Sequence, residues 1–194
     1  MNLPRLARYV PGVDPDRRAL AAVAQGDERA LRELYDRHAG AVLRLLRRLT
    51  SDAGTAEEIM QESWLAVWRS AGTFRGASSV RGWILGVARR QAHNRLRRAG
   101  PATVALDGEE GPDPADAGAD VEAEVLAAAG HREILAAIGA LPRRHREVVH
   151  LALVEELPYP EIAEVLGIPV GTVKSRMSKA RARLAGALRR GLVS

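Results

Sequence analysis

Cysteine is absent from all 194 residues, which excludes disulfides and thiolate metal sites. Aromatic residues are few, with three Trp, three Tyr and one Phe, so any platform for stacking bases must be made from very few side chains. No apolar run reaches 18 residues, and the opening "MNLPRLARYVPGVDPDRRAL" lacks the uninterrupted hydrophobic segment of a signal peptide. A cytoplasmic protein without membrane insertion is expected. No stretch alternates with period two, so strands are not expected either. The chain also lacks a phosphate-cradling glycine loop, a nucleophile elbow and a helical acid pair facing a pocket, and its five histidines (His38, His93, His131, His145, His150) follow no metal-ligand spacing. Nothing calls for a cofactor or a metal, and catalysis by this chain alone is not expected.

Charge is abundant and unevenly placed. The formal net charge is +5 and the pI about 10.3, a balance suited to a polyanionic partner. All but two of the 29 basic residues are Arg, the exceptions being Lys174 and Lys179. "RRQAHNRLRR", Arg89 to Arg98, holds five Arg and no acid, whereas Asp107 to Glu124 holds eight Asp/Glu and no Lys or Arg. After Glu164 come seven basic residues and no acid. The acidic segment carries Gly and Pro without hydrophobic periodicity, and so reads as a flexible linker between two domains. It is either a solubilising spacer or a nucleic-acid mimic.

Both flanks are helical in pattern. From Asp27 to Thr50, Leu31, Leu34, Tyr35, His38, Val42, Leu45, Leu46 and Leu49 recur at three- and four-residue steps and predict one buried face, with His38 at its edge. "TAEEIMQESWLAVWRS" places Thr55 and Glu58 at capping-box spacing and predicts Met60, Trp64, Val67, Trp68 and Ala71 inward. A third helix is expected from about Val80 to Arg98, with Trp83, Val87 and Gln91 inward. On the second helix, Glu58, Gln61, Glu62, Leu65 and Arg69 form a stripe beside the Trp-bearing face. Such a stripe is either a solvated surface or a docking face for a basic helix, and spacing does not choose.

The C-terminal block is more specific. "LPRRHREVVHLALVEEL" places Pro142 at a helix start, where a missing N–H costs nothing. "YPEIAEVLGIPVGTVKSRMSKARARL" then predicts a short helix, a tight turn at Gly167 and a second helix from about Pro169, around a small core of Ile162, Leu166, Ile168 and Val173, with Ala163 small enough for the two helices to cross closely. Val173, Met177, Ala180 and Leu184 follow the inward track of that second helix. Lys174, Ser175, Ser178, Lys179 and Arg181 are left outward, with Thr172, Arg176 and Arg183 near them. Long cations beside short hydroxyls suit a helix that enters the major groove of DNA.

At this point the sequence resembles a known family. "TAEEIMQESWLAVWRSAGTFRG", "VRGWILGVARRQAHNRLRR" and the block from Leu141 to Leu184 are similar, in order, to regions two and four of bacterial extracytoplasmic-function (ECF) sigma factors of the sigma-70 family. The resemblance implies an all-α chain of two small helical domains joined by the acidic linker. Residues 1–21 are then an N-terminal extension, 22–99 region 2, 100–130 the linker and 131–194 region 4. It implies core RNA polymerase, through its β′ and β subunits, and promoter DNA as partners, and admits an anti-sigma factor as another. Glu58, Gln61, Glu62, Leu65 and Trp68 match the helix that docks on the β′ coiled coil. "FRGASSVRGW" and the Arg-rich helix after it match the part that melts and captures the −10 element, implicating Phe74, Ser78, Ser79, Arg81, Trp83, Arg89, Arg90, Asn94 and Arg97. Thr172, Lys174, Ser175, Arg176, Ser178, Lys179, Arg181 and Arg183 fall on the −35 helix. The acidic linker matches a segment threaded toward the polymerase cleft. Two departures stand out: Arg90 where the family often has Asn, and Pro158 where a Ser or Thr cap is usual. The competing expectation is an autonomous helix-turn-helix regulator that binds DNA without polymerase.

Overall fold

The computed structural model describes residues 14–50, 52–98 and 131–191, and every regular element among them is helical. The expected linker lies outside the described residues. The chain divides into two compact units, Met1–Ala92 and His93–Ser194. No helix among the described residues is long and apolar enough to cross a membrane.

The first unit opens with a helix that the sequence pattern had not suggested. Helix α1, Pro15–Val23, starts on Asp14, whose carboxylate accepts from the Asp16 N–H at 3.0 Å, with Pro15 in the first turn. It buries Ala19, Leu20 and Val23 and packs on the next helix, so a boundary at 21/22 falls inside a packed element. Helix α2, Glu28–Leu49, is capped by Asp27, which accepts from the N–H groups of Arg29 and Ala30, and it ends on Arg47 and Arg48, where the helix dipole favours cations. Six of the eight residues expected inward on α2, Leu34, His38, Val42, Leu45, Leu46 and Leu49, are buried. Ala30, Leu34, His38 and Ala41 are buried, while Leu31 is half-buried and Tyr35 is 41% exposed. Helix α2 packs on both α1 and α3. His38 is held between α1 and α2, with Nε2 2.7 Å from Asp16 Oδ2, and Arg37 also pairs with Asp16.

Helix α3, Ala53–Ser70, does not begin on Thr55. Asp52 is its cap, accepting from the Thr55 N–H at 2.6 Å. The hydrogen bonds from the Thr55 side chain and backbone hold the Asp52 carboxyl below its usual range. Trp64, Val67 and Ala71 are buried as expected, but Met60 and Trp68 are only half-buried. Ala56, Ile59 and Ser63 are buried instead. Ser63 is tolerated there because its hydroxyl donates to the Ile59 carbonyl at 2.6 Å. A 3-10 turn, Ala71–Thr73, leads to helix α4, Val80–Arg98. Of the three inward residues expected in α4, Val87 is buried and Trp83 and Gln91 are half-buried; Val80, Ile84, Leu85, Ala88, Ala92 and Leu96 are buried as well.

The second unit contains α5, His131–Gly139, α6, Arg143–Leu153, α7, Tyr159–Leu166, and α8, Val170–Gly191. Helix α8 packs against the other three. Pro142 is the cap of α6 rather than its first residue, and its carbonyl accepts from His145 and Arg146 at 3.0 Å each. His145 and His150 are both buried, and His150 Nε2 lies 3.5 Å from Oε1 of the fully buried Glu155. Pro158 caps α7 without a side-chain hydrogen bond, Pro160 occupies its first turn, and the Pro158 carbonyl accepts from Glu161 and Ile162. The missing Ser/Thr cap is thus compensated by two prolines that remove N–H groups needing partners or fix helical φ.

Candidate nucleic-acid and partner-helix interfaces

In the second unit the turn between α7 and α8 decides which side of α8 faces out. Gly167 adopts φ 67° and ψ 36°, and the next N–H, that of Ile168, reaches back to the Ala163 carbonyl at 3.0 Å. A left-handed residue here reverses the chain within two positions, which a side chain would resist. The Pro169 carbonyl then accepts from Thr172 and Val173 and starts α8. Val173, Met177, Ala180 and Leu184 are buried, as their spacing predicted, and Ala185 and Leu188 extend the seam. Ile168 is half-buried at the edge of this core.

The opposite side of α8 therefore faces solvent. Lys174, Arg181 and Arg183 are exposed, and Thr172, Ser175, Arg176, Ser178 and Lys179 are half-exposed. Lys174, Ser178 and Arg181 stand one above another at i, i+4 and i+7. Arg181 is also tied locally, its Nη2 donating to the Tyr159 hydroxyl at 3.4 Å. A surface of cations and small hydroxyls without an acid can approach phosphate and base edges closely.

In the first unit α3 turns Glu58, Gln61, Glu62, Leu65 and Arg69 to solvent, with Leu65 51% exposed and Trp68 half-buried at the margin. Trp64, one step away, packs its ring 5.1 Å from that of Tyr35. Beside this pair a surface cavity of about 340 Å³ is lined by Glu28, Leu31, Arg32, Tyr35 and Trp64. The cavity escaped sequence reading because Tyr35 had been placed in the core.

The loop before α4 is more occupied than its sequence suggests. Ser78 is buried, so its side chain is not displayed on the surface. Ser79 acts at the start of α4: its Oγ accepts from Gly82 N at 3.0 Å and its carbonyl from Trp83 N at 3.0 Å. Phe74 and Trp83 meet edge to face at 5.7 Å, both half-buried. Further along, Arg90, Asn94 and Arg97 are exposed and continue the strip that begins at Trp83, by steps of seven, four and three. Arg81 and Arg89 are half-exposed and lie off that strip. Arg17 of α1, which no motif singled out, reaches this loop, and its only sequence signal was the Asp14-Pro15 start of the helix that carries it.

Two family models match the chain, one described as sigma-70 region 2 over residues 34–101 and one as sigma-70, region 4 over residues 131–184. The ECF RNA polymerase sigma factor SigK of Mycobacterium tuberculosis is 37% identical over 166 residues, which cover 83% of this chain and 87% of that protein. The chain belongs to the ECF sigma factors. As a sigma factor it binds core RNA polymerase and directs promoter-specific initiation, which disfavours the autonomous regulator. SigK of Mycobacterium sp. strain KMS is 34% identical over 160 residues, covering 81% of this sigma factor and 82% of its relative. The fold agrees with solved structures. CnrH, determined in complex with the cytosolic domain of CnrY, superposes with a TM-score of 0.63 at 24% identity, covering 91% of this chain and 99% of that one. RpoE of Bartonella quintana, determined with the anti-sigma factor NepR, gives 0.58 at 22% identity, covering 81% and 96%.

Proposed function

We propose that this sigma factor divides promoter recognition between α8, which reads the −35 element, and the Phe74–Arg97 segment, which opens and holds the −10 element. The observation that carries the reading is the two-sided α8: Val173, Met177, Ala180 and Leu184 are packed, and the acid-free Lys174–Ser178–Arg181 track is turned outward. Thr172, Ser175, Arg176, Lys179 and Arg183 flank that track and meet phosphates or base edges around it. In the −10 segment, Trp83, Arg90, Asn94 and Arg97 form the strand-facing strip, Arg81 and Arg89 add charge at its sides, and Phe74 supports Trp83. Ser78 and Ser79 shape the loop through burial and capping rather than by offering hydroxyls to bases.

The stripe Glu58, Gln61, Glu62 and Leu65, with Trp68 at its margin, is the docking face for the β′ coiled coil. Acidic side chains around one exposed Leu complement a basic helix with an apolar contact. Helices α1 to α4 and helices α5 to α8 act as the two promoter-binding regions, with 100–130 as the linker. The protein works in the cytoplasm and supplies recognition, whereas the chemistry of RNA synthesis belongs to the polymerase. Its relatives' structures with partner proteins support regulation by an anti-sigma factor as well.

Run-off transcription tests the reading. Core polymerase with this protein is expected to start from discrete sites on genomic fragments, and core polymerase alone is not. A product pattern unchanged by adding the protein would exclude promoter-specific initiation.

A further inference from the structure

We propose that Arg17 is a positioning residue that fixes the strand-capture loop from outside. It sits on α1, and its Nη2 donates to the carbonyls of Gly76 at 3.1 Å and Ser78 at 3.4 Å. Its guanidinium lies 5.8 Å from the centre of the Phe74 ring, and that ring packs edge to face on Trp83. One cation thus gathers two loop carbonyls and the aromatic pair that starts the proposed strand-facing strip. A loop without regular secondary structure has few internal constraints, so a fixed charge at its back decides which backbone conformation is populated.

The surrounding geometry is built around that cation. Asp14 caps α1 and pairs with Arg17 Nε at 3.5 Å, which orients the side chain toward the loop. Gly76 has φ +75°, where any side chain is strained, and a Cβ there would lie 3.1 Å from Arg17 Nη1, so a larger residue would also press on the guanidinium. At the other end of α1, Ala24 lies against the 3-10 turn, where a Cβ on Gly72 would be 4.0 Å from the Ala24 Cβ. Helix α1 therefore backs the segment from the 3-10 turn to the start of α4. Arg17 faces the loop from behind and touches no base in this scheme; it acts through Phe74, Gly76 and Ser78.

The inference rests on the assignment of this loop to −10 capture, and the experiment separates the two. Holoenzyme is assembled with full-length wild type, Arg17→Gln, Arg17→Lys, Gly76→Ala or Trp83→Leu. Each is titrated against a fluorescent single strand that carries the non-template −10 region of a promoter active in run-off. Core-polymerase affinity and thermal midpoint are measured in parallel. Arg17→Gln is expected to lose about tenfold in strand affinity, the scale of one hydrogen bond from a charged group, and to relax base preference at −10. Core affinity and thermal midpoint are expected to stay at the wild-type values. Gly76→Ala, which leaves Arg17 in place but pushes the loop off it, is expected to give a similar loss, and Arg17→Lys, which keeps the charge and donors, to recover most of the affinity. Loss in Trp83→Leu with none in Arg17→Gln or Gly76→Ala overturns the role of Arg17 and leaves the loop assignment standing. Wild-type strand binding in all variants overturns both. A fall in strand affinity that tracks core affinity and thermal midpoint makes Arg17 a tether of the fold and overturns positioning.

Discussion

Two residues of the second unit carry opposite backbone signals. Gly167 sits at φ +67° with open space where a Cβ would be, so an alanine there meets conformational strain and no clash. Gly167→Ala is expected to cost about 1–2 kcal/mol, and Gly167→Asn less, because Asn tolerates the left-handed region. Glu156, the one non-glycine residue with positive φ among the described residues, stands at 52°. Glu156→Gly is expected to stabilise the protein by roughly 1 kcal/mol through relief of the same strain. Urea unfolding of the full chain checks both; a loss on Glu156→Gly would mean that its side chain contributes more than the strain removes. Asp52 adds a pH dependence. Its carboxyl is lowered in the folded state, so its stabilisation is present above the ordinary Asp range and is lost as pH falls through the lowered value. Acid unfolding of Asp52→Asn, compared with wild type, is expected to lack that component.

At the scale of helices, the cap on Asp52 clears the way for a clean test of α3. Because the N-terminal cap is made between Asp52 and Thr55, reversing Glu58 and Glu62 to Lys leaves its two partners in place. The double variant is expected to retain wild-type helicity by circular dichroism and to lose pull-down of core polymerase; normal pull-down by the folded variant would remove the docking assignment. Helix α8 separates reading from holding. Lys174→Ala and Ser178→Ala are expected to change base preference at particular −35 positions, by roughly 1–3 kcal/mol per contact. Arg183→Gln is expected to weaken all promoters about equally and to lower the salt slope by about one unit. Arg181→Gln is expected to do the same and also to loosen the α7–α8 pairing, since Arg181 holds Tyr159. Transcription from a randomised −35 library over a salt series measures both effects; an unchanged preference in the Lys174 and Ser178 variants would assign the reading elsewhere.

For the whole molecule, the acidic stretch from Asp107 to Glu124 stands in sequence between the proposed −10 segment and the −35 helix. Two short footprints separated by a stretch of that acidic, Gly- and Pro-containing composition are expected to have a low effective concentration for each other, so neither gains much from the other without a scaffold. The free protein is expected to bind duplex promoter DNA weakly and to gain specific affinity with core polymerase. Gel shifts at fixed salt measure this, and tight sequence-specific binding by the free chain would return the autonomous regulator to favour.

Local pattern was enough for whatever depends on a residue and its near neighbours. The all-helical content, the Gly167 turn, the inward track of α8 and the exposed acidic stripe of α3 all follow from periodicity and from glycine's backbone freedom. The family likewise was legible, because its motifs are contiguous. Tertiary structure decided what depends on packing between distant segments. Tyr35 stands at the surface against Trp64 although its spacing places it inward, and Ser78 is buried. Arg17, 59 positions before Gly76, is bound to a loop that no periodicity could connect to it. Spacing reports which residues share a helix face; which segment covers that face is set by the free energy of burying it, and this depends on residues far away in the chain.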